Sequence, residues 1–155
     1  MFASSFDYYR ARSVTEASEL LRKHPGAKML AGGHSLIPLL KLRLAAPPAV
    51  VDIGRIPDLR GISRKDGVVR IGALATHAEI AASPVIREHC PALAEAAQLV
   101  GDPAVRNRGT IGGNVAHADP ASDLPTVLTA LGARFENVDS VRGVARVNNR
   151  LLVLF

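Results

Sequence analysis

Short apolar runs alternate with helix-type segments through the first third of the chain, and this alternation constrains the fold more than any other feature. Ser13 followed by Glu16 has the spacing of a capping box, which starts a helix. Pro38 falls in the first turn of a second helix, where a missing N–H costs little. We predict strands at residues 6–10, 28–31 and 49–53, the second of them buried, and helices at residues 13–23 and 35–44. The order β-α-β-α-β calls for a small parallel sheet.

The pattern changes after residue 55. Two β-forming runs, residues 62–64 and 68–71, flank Lys65-Asp66-Gly67 and predict an antiparallel hairpin. Thr76 and Glu79 form a second capping box, and Ser83-Pro84 interrupts the helix that it starts. Further helices are predicted at residues 85–89, 91–100 and 124–131, the last capped by Ser122, with a long loop at residues 101–122 and a second hairpin at 144–147 and 151–154.

This change of pattern predicts an α+β fold with two lobes. The first is a small parallel β-α lobe at residues 1–55, and the second is a larger antiparallel β lobe with helices at residues 56–135. Residues 136–155 are expected to be a divergent or truncated tail. A chain of 155 residues is long enough to bury a real core, so disorder is not expected.

Composition narrows the class of protein. The single cysteine, Cys90, excludes an internal disulfide, a four-cysteine zinc site and an iron–sulfur cluster, and it suits a reducing compartment. No apolar run approaches 18 residues and no signal peptide is recognisable, so a soluble cytoplasmic chain without a membrane span is expected. The excess of 19 Lys and Arg over 14 Asp and Glu leaves open a basic module that binds a polyanion. The scattered cations and few aromatics favour a solvated surface over nucleic-acid binding.

The first candidate site is a glycine segment at residues 31–36, Ala-Gly-Gly-His-Ser-Leu, which we call the first glycine segment. An apolar strand runs into two residues without Cβ and then into a helix whose first N–H groups lack intrahelical partners. Such a segment can bring backbone donors close to a phosphate. Plain turn chemistry is the alternative interpretation of these residues.

The second candidate, the second glycine segment, is residues 106–114, Arg-Asn-Arg-Gly-Thr-Ile-Gly-Gly-Asn. Its glycines, hydroxyl and amide groups could surround a pyrophosphate, and Asp123 further along is a natural acceptor for ribose hydroxyls. A glycine-rich hairpin followed by a helix cap is the alternative. Neither segment has the spacing of a P-loop or of a Rossmann dinucleotide fingerprint.

Metal and hydrolase chemistry have little support. His34, His77 and His117 lie in or near these segments, but their spacing is not that of metal ligands. Ser35 lacks the Gly-x-Ser-x-Gly elbow of a nucleophile. We therefore predict no catalytic side chain and no metal site.

Taken together, the two glycine segments resemble one family, the flavin (medium) subunits of molybdenum hydroxylases such as aerobic carbon monoxide dehydrogenase and xanthine dehydrogenase-like enzymes. The resemblance lies in Ala-Gly-Gly-His-Ser-Leu-Ile-Pro at 31–38, Arg-Asn-Arg-Gly-Thr-Ile-Gly-Gly-Asn at 106–114 and Asp-Pro-Ala-Ser-Asp-Leu-Pro at 119–125. Weaker similarity covers residues 1 to about 135. The resemblance implies a two-lobed FAD-binding domain in an oxidoreductase of the dehydrogenase type.

The resemblance also implies which residues hold the cofactor. The first glycine segment would hold the diphosphate of FAD from one side and the second from the other, with Thr76 near the flavin and Asp123 near the ribose or adenosine. The implied FAD-binding residues are Ala31, Gly32, Gly33, His34, Ser35, Leu36, Thr76, Thr110, Ile111, Gly112, Gly113, Asn114 and Asp123.

By the same resemblance, the chain is an electron-transfer subunit of a hetero-oligomer. Electrons from a molybdenum-cofactor subunit would pass to iron–sulfur clusters on a partner chain. From these clusters they would pass to FAD, and then to an acceptor. Family members are roughly twice this length and end in a domain that helps to cover the flavin. That domain is expected to be missing here, because the resemblance fades after Phe135. A truncated remnant of the subunit that retains no flavin is therefore the alternative function.

Overall fold

A computed structural model describes residues 2–136 and the backbone of residues 151–154. The chain divides into two compact units, Met1–Asp58 and Leu59–Phe155. Each unit has its own sheet, and we describe the two separately.

The first unit is a three-stranded parallel sheet with two helices. Its elements are β1 (Asp7–Arg10), α1 (Val14–Lys23), β2 (Lys28–Leu30), α2 (Leu36–Lys41) and β3 (Ala49–Asp52). The strand order is β1-β3-β2, and both neighbouring pairs are parallel. The predicted order of elements and the parallel sheet are confirmed. Ser13 caps α1, as its spacing predicts, by accepting a hydrogen bond from the Glu16 amide.

Two details of this unit differ from the prediction. Strand β2 is not buried, since it pairs on one side only and Met29 is 49% exposed, whereas the central strand β3 has Val51 fully buried. Helix α2 ends at Lys41, three residues early. There Arg43 takes a left-handed conformation, and the Leu44 amide donates back to the Leu39 carbonyl, a Schellman arrangement that closes the helix.

The second unit combines a four-stranded sheet with six helices among its described residues. The elements are β4 (Ile62–Lys65), β5 (Val68–Gly72), α3 (His77–Ala82), α4 (Pro84–His89), α5 (Pro91–Leu99), α6 (Pro103–Arg106), α7 (Ile111–His117), α8 (Asp123–Ala130), β6 (Arg134–Glu136) and β7 (Leu151–Leu154). A 3-10 turn, Pro57–Leu59, lies where the two units meet in sequence. The sheet order is β4-β5-β7-β6.

The predicted hairpin is present as β4 and β5. Lys65 pairs with Val68, so Asp66 and Gly67 alone form the turn, and both have positive φ, as a type I′ turn requires. Strand β7 then adds to β5 and β6 in parallel, so the larger sheet is mixed. The predicted α+β class, with one parallel β-α unit and one unit that contains an antiparallel hairpin and helices, is confirmed.

The core of the second unit lies among its helices and one face of the sheet. The largest fully buried side chains there are those of Val69, Ile71, Ile80, Ile86, Leu93, Ile111, Leu124 and Leu128. Cys90 is buried among them, where burial raises the pKa of its thiol. Ser83 and Pro84 separate α3 from α4, as predicted, and Ser83 caps α4.

The prediction of a long loop at residues 101–122 is wrong. Helices α6 and α7 lie within this stretch, each started by a polar cap. Asp102 accepts from the Val105 amide at 2.9 Å, and Thr110 accepts from the Gly113 amide at 3.1 Å. The glycines at 112 and 113 therefore belong to the first turn of a helix, and the alternative of a glycine-rich hairpin is wrong too.

The last part of the chain is described only in part. Residues 151–154 form a strand, and residues 144–147 of the predicted second hairpin lie outside the described residues. Within the described part, no helix is both long and apolar enough to cross a membrane.

Candidate functional site

The first glycine segment follows β2 at the carboxyl end of the parallel sheet, which is where open α/β sheets bind ligands. Gly33 has φ +80°, a left-handed conformation that favours glycine. A Cβ there would lie 2.6 Å from Ile37 Cδ1 and 3.2 Å from Leu30 Cδ1, so the turn also needs the space. Both requirements explain the glycine at this position.

The feature of this segment that bears most on ligand binding is its row of backbone amides. Within residues 2–136 and 151–154, no acceptor is found for the amides of Gly32, Gly33, His34, Ser35 and Leu36. The first amide of this stretch with a partner is that of Ile37, which donates to Gly33 O at 2.9 Å. His34 and Ser35 are exposed, and the glycines are half-buried. Five successive N–H groups at a partly open turn suit an anion with several oxygens.

The second glycine segment differs from the first in its backbone. The Ile111 amide donates to Ala75 O at 3.0 Å, the Gly112 amide donates to Ala73 O at 2.9 Å, and the Gly113 amide donates to the Thr110 hydroxyl oxygen. These donors already have protein acceptors. At this helix start Gly113 is exposed and Asn114 is half-buried, whereas Thr110 is only 6% exposed.

Gly112 is required for close packing. A Cβ there would lie 2.5 Å from Ala73 Cβ and 2.8 Å from Ala73 O. Because this residue is inside a helix and contacts the backbone, only glycine lets α7 approach the segment after β5. The contact fixes the position of the start of α7 in its unit.

Thr76 lies directly beside this helix start. Thr76 and Thr110 form an antiparallel bridge, flanked by hydrogen bonds from the His77 amide to Gly109 O and from the Ile111 amide to Ala75 O. The predicted capping box is complete, since Thr76 accepts from the Glu79 amide while Glu79 Oε2 accepts from the Thr76 amide at 2.7 Å. The structure thus brings Thr76 together with the second glycine segment.

Ser122 joins the segment through Asn114, and sequence reasoning assigned it only a capping role. Its hydroxyl makes no cap bond to α8. It instead lies 2.9 Å from Asn114 Nδ2 and 3.0 Å from Asn114 Oδ1. Asp123, the next residue, is exposed in the first turn of α8. Only the tertiary contact between α7 and α8 shows this role of Ser122.

His77 is buried beneath the second glycine segment and is 3% exposed. A Cβ on Gly109 would lie 2.8 Å from the ring atoms Cδ2 and Nε2, and Nδ1 finds no hydrogen-bond partner in the described part of the chain. Burial lowers the pKa of His77 to about 4, so the ring is neutral at pH 7. Among the described residues, no group of three or more His, Cys, Asp or Glu side chains is placed to hold a metal ion.

Comparison with known proteins identifies the family. Residues 4–148 match the model of the FAD binding domain in molybdopterin dehydrogenase. The chain is 48% identical over 136 residues to the carbon monoxide dehydrogenase medium chain of Hydrogenophaga pseudoflava, covering 87% of this chain and 47% of the relative. It is 46% identical over 144 residues to the alpha subunit of the 6-hydroxypseudooxynicotine dehydrogenase complex of Paenarthrobacter nicotinovorans, covering 92% and 48%.

Solved structures of related enzymes share the fold of this chain. Carbon monoxide dehydrogenase from Hydrogenophaga pseudoflava superposes with a TM-score of 0.85 at 48% identity, covering 86% of this chain and 47% of that one. Quinoline 2-oxidoreductase from Pseudomonas putida superposes with a TM-score of 0.82 at 37% identity, covering 85% of this chain and 46% of that one. The chain spans about half the length of these relatives.

These matches confirm the fold class and the FAD cofactor that the sequence predicts. They also extend to residue 148, past Phe135, where the resemblance was expected to fade. The individual FAD-binding residues stay predictions. This chain belongs to the family of FAD-binding domains of molybdopterin dehydrogenases.

Proposed function

We propose that this chain binds FAD as the flavin-holding part of an electron-transfer subunit of a molybdenum-hydroxylase-type oxidoreductase. The observation that carries the proposal is the run of five amides in the first glycine segment that have no acceptor among the described residues, in a chain of a FAD-binding family. A diphosphate needs several donors at close range, and backbone N–H groups at a glycine turn supply them without a bulky side chain in the way.

Residues 31–36 are proposed to hold the diphosphate through these amides. Gly33 keeps the turn open, and the exposed Ser35 hydroxyl adds a further donor.

The second glycine segment is proposed to bind FAD mainly through side chains, because its amides from Ile111 to Gly113 already have partners. The Thr110 hydroxyl and the Asn114 amide, which also bond within the chain, are proposed as the donors, and the exposed Gly113 is proposed to allow close approach. Thr76, adjacent to Thr110, is proposed to contact the flavin side. The Asp123 carboxylate is proposed to accept from ribose hydroxyls.

The redox chemistry would come from the cofactor, since FAD supplies a centre that takes up and releases electrons. The chain's own task is to bind and orient it. With one cysteine, the chain leaves iron–sulfur clusters and the molybdenum cofactor to partner subunits of a hetero-oligomer, and the proposal places the assembly in the cytoplasm.

The test is a titration of the 155-residue chain with FAD, followed by flavin fluorescence and repeated with ADP as competitor. We expect saturable binding that ADP, which carries the diphosphate, competes away and riboflavin does not. Gly33→Ala should lower FAD affinity at least tenfold, because it places a Cβ at φ +80° and 2.6 Å from Ile37.

Gly26→Ala is the matched control. Gly26 also has positive φ in the same unit, but its nearest neighbours are atoms of Pro48 at 3.5 Å and beyond. It should share the backbone strain of Gly33→Ala and leave FAD affinity unchanged. A wild-type chain that binds no FAD would instead support the alternative of a flavin-free remnant.

A further inference from the structure

We propose that Asp52 is a positioning residue for the first glycine segment, acting through the turn at Ile53-Gly54. This inference rests on the proposed function, because it assigns the group that shapes the diphosphate-binding backbone. Asp52 is the last residue of β3, the central strand of the parallel sheet.

The Asp52 carboxylate is held by donors from two elements. Oδ1 accepts from the Gly54 amide at 2.8 Å, which closes a tight turn directly after the strand. Oδ2 accepts from the Tyr8 hydroxyl on the neighbouring strand β1. Both oxygens are therefore fixed, and the side chain is only 18% exposed.

Arg10 balances the charge of this carboxylate. Its Nε lies 3.7 Å from Asp52 Oδ2, and its Nη2 donates to the Tyr8 hydroxyl at 3.3 Å. The guanidinium carbon also lies 5.9 Å from the centre of the Tyr8 ring. A half-buried carboxylate beside a site for a diphosphate would repel the ligand, and a neighbouring guanidinium reduces that repulsion.

The turn that Asp52 closes lies against the start of the first glycine segment. The Ile53 amide donates to Leu30 O at 3.0 Å, which continues the pairing of β2 with β3 to the last residue before the segment. A Cβ on Gly54 would lie 3.0 Å from Asp52 Oδ1 and 3.9 Å from Ala31 O. The shape of the turn thus determines where the backbone at Ala31 leaves the sheet, and so the direction of the amides that follow.

The experiment compares Asp52→Ala with Asp52→Asn in the full chain. Asp52→Ala removes the acceptor for the Gly54 amide and should lower FAD affinity at least tenfold. Asp52→Asn keeps an oxygen for that amide and should recover most of the loss. Tyr8→Phe removes one hydroxyl from an exposed side chain, so the chain should still fold, and it should lower affinity about threefold.

Ser13→Ala is the control for stability alone, because it removes the cap of α1 without touching the turn. It should leave FAD affinity unchanged. A second measurement needs no FAD: amide NMR shifts of residues 32–36 should move in Asp52→Ala and stay in place in Ser13→Ala. Wild-type affinity and unmoved amide shifts in both Asp52→Ala and Tyr8→Phe would overturn the inference. A wild-type chain that bound no FAD while these shifts moved would overturn the proposed function alone.

Discussion

Two glycines of the candidate site are needed for different physical reasons. Gly33 has a backbone conformation that side chains disfavour, at a turn whose amides have no acceptor in the described part of the chain. Gly112 has helical geometry, and what excludes a side chain there is the backbone of Ala73. Glycine thus permits a left-handed turn at one position and close packing of a helix at the other.

This difference predicts the effect of Gly112→Ala on stability. Alanine normally stabilises a helix over glycine by up to about 1 kcal/mol. Here its Cβ would lie 2.5 Å from Ala73 Cβ, so we expect a loss of about 1–3 kcal/mol in the free energy of unfolding. Urea titration measures it. Ala116→Gly, at an exposed position of α7, is the control and should cost no more than about 1 kcal/mol. A stabilised Gly112→Ala chain would contradict the packing.

The buried imidazole of His77 predicts a pH dependence of stability. Its pKa is lowered from 6.5 to about 4 in the folded chain, so between these values the unfolded chain binds the extra proton. Stability is therefore highest above pH 6.5 and falls as the pH drops toward 4, by at most about 3 kcal/mol from this group.

The check is urea unfolding of the wild type and His77→Leu at pH 7.5 and pH 5. The wild type should lose more stability between the two pH values than the variant, because leucine does not titrate. Equal losses would show that His77 does not carry the effect.

At the scale of elements, the short sequence signals that act locally are predictable. The capping box at Thr76, the cap at Ser13 and the Asp66-Gly67 turn each depend on neighbours within a few residues. The start of α7 was missed because glycine disfavours helix. It is stabilised there by tertiary bonds, such as that from the Gly112 amide to Ala73 O.

The same limit applies to the candidate site. The glycine motifs mark both segments, but only the structure shows that the amides of residues 111–113 have acceptors and that those of residues 32–36 find none within residues 2–136 and 151–154. The sequence motifs give Asp52 no role, and its contact with Tyr8 joins the neighbouring strands β1 and β3. Such contacts depend on the sheet register, which local patterns do not give.

Thr76 combines a cap and a proposed cofactor contact, and its variants separate the two. Thr76→Ala should lower the free energy of unfolding by about 1 kcal/mol and also lower FAD affinity. Thr76→Ser keeps the hydroxyl and should restore both. Thermal unfolding and flavin fluorescence give the two readouts. Ser83→Ala, which removes the cap of α4, should change stability only. FAD affinity equal to wild type in Thr76→Ala would remove Thr76 from the proposed site.

At the scale of the whole molecule, the chain contains two units with separate sheets and different means of offering donors. The family match covers both units, since it runs from residue 4 to residue 148. We propose that FAD is bound by backbone donors of the first unit and by side-chain donors of the second. Variants in each unit can therefore test the two contributions separately.

The central place of β7 in the larger sheet has a consequence for synthesis. The hairpin and the helices form from neighbours in sequence, whereas β7 pairs with β5 across most of the second unit and must close a long loop. While the chain emerges from the ribosome, the sheet is thus completed last. A message shortened before codon 151 would leave β5 with an open edge and β6 without its neighbour β7, which invites aggregation of the nascent protein.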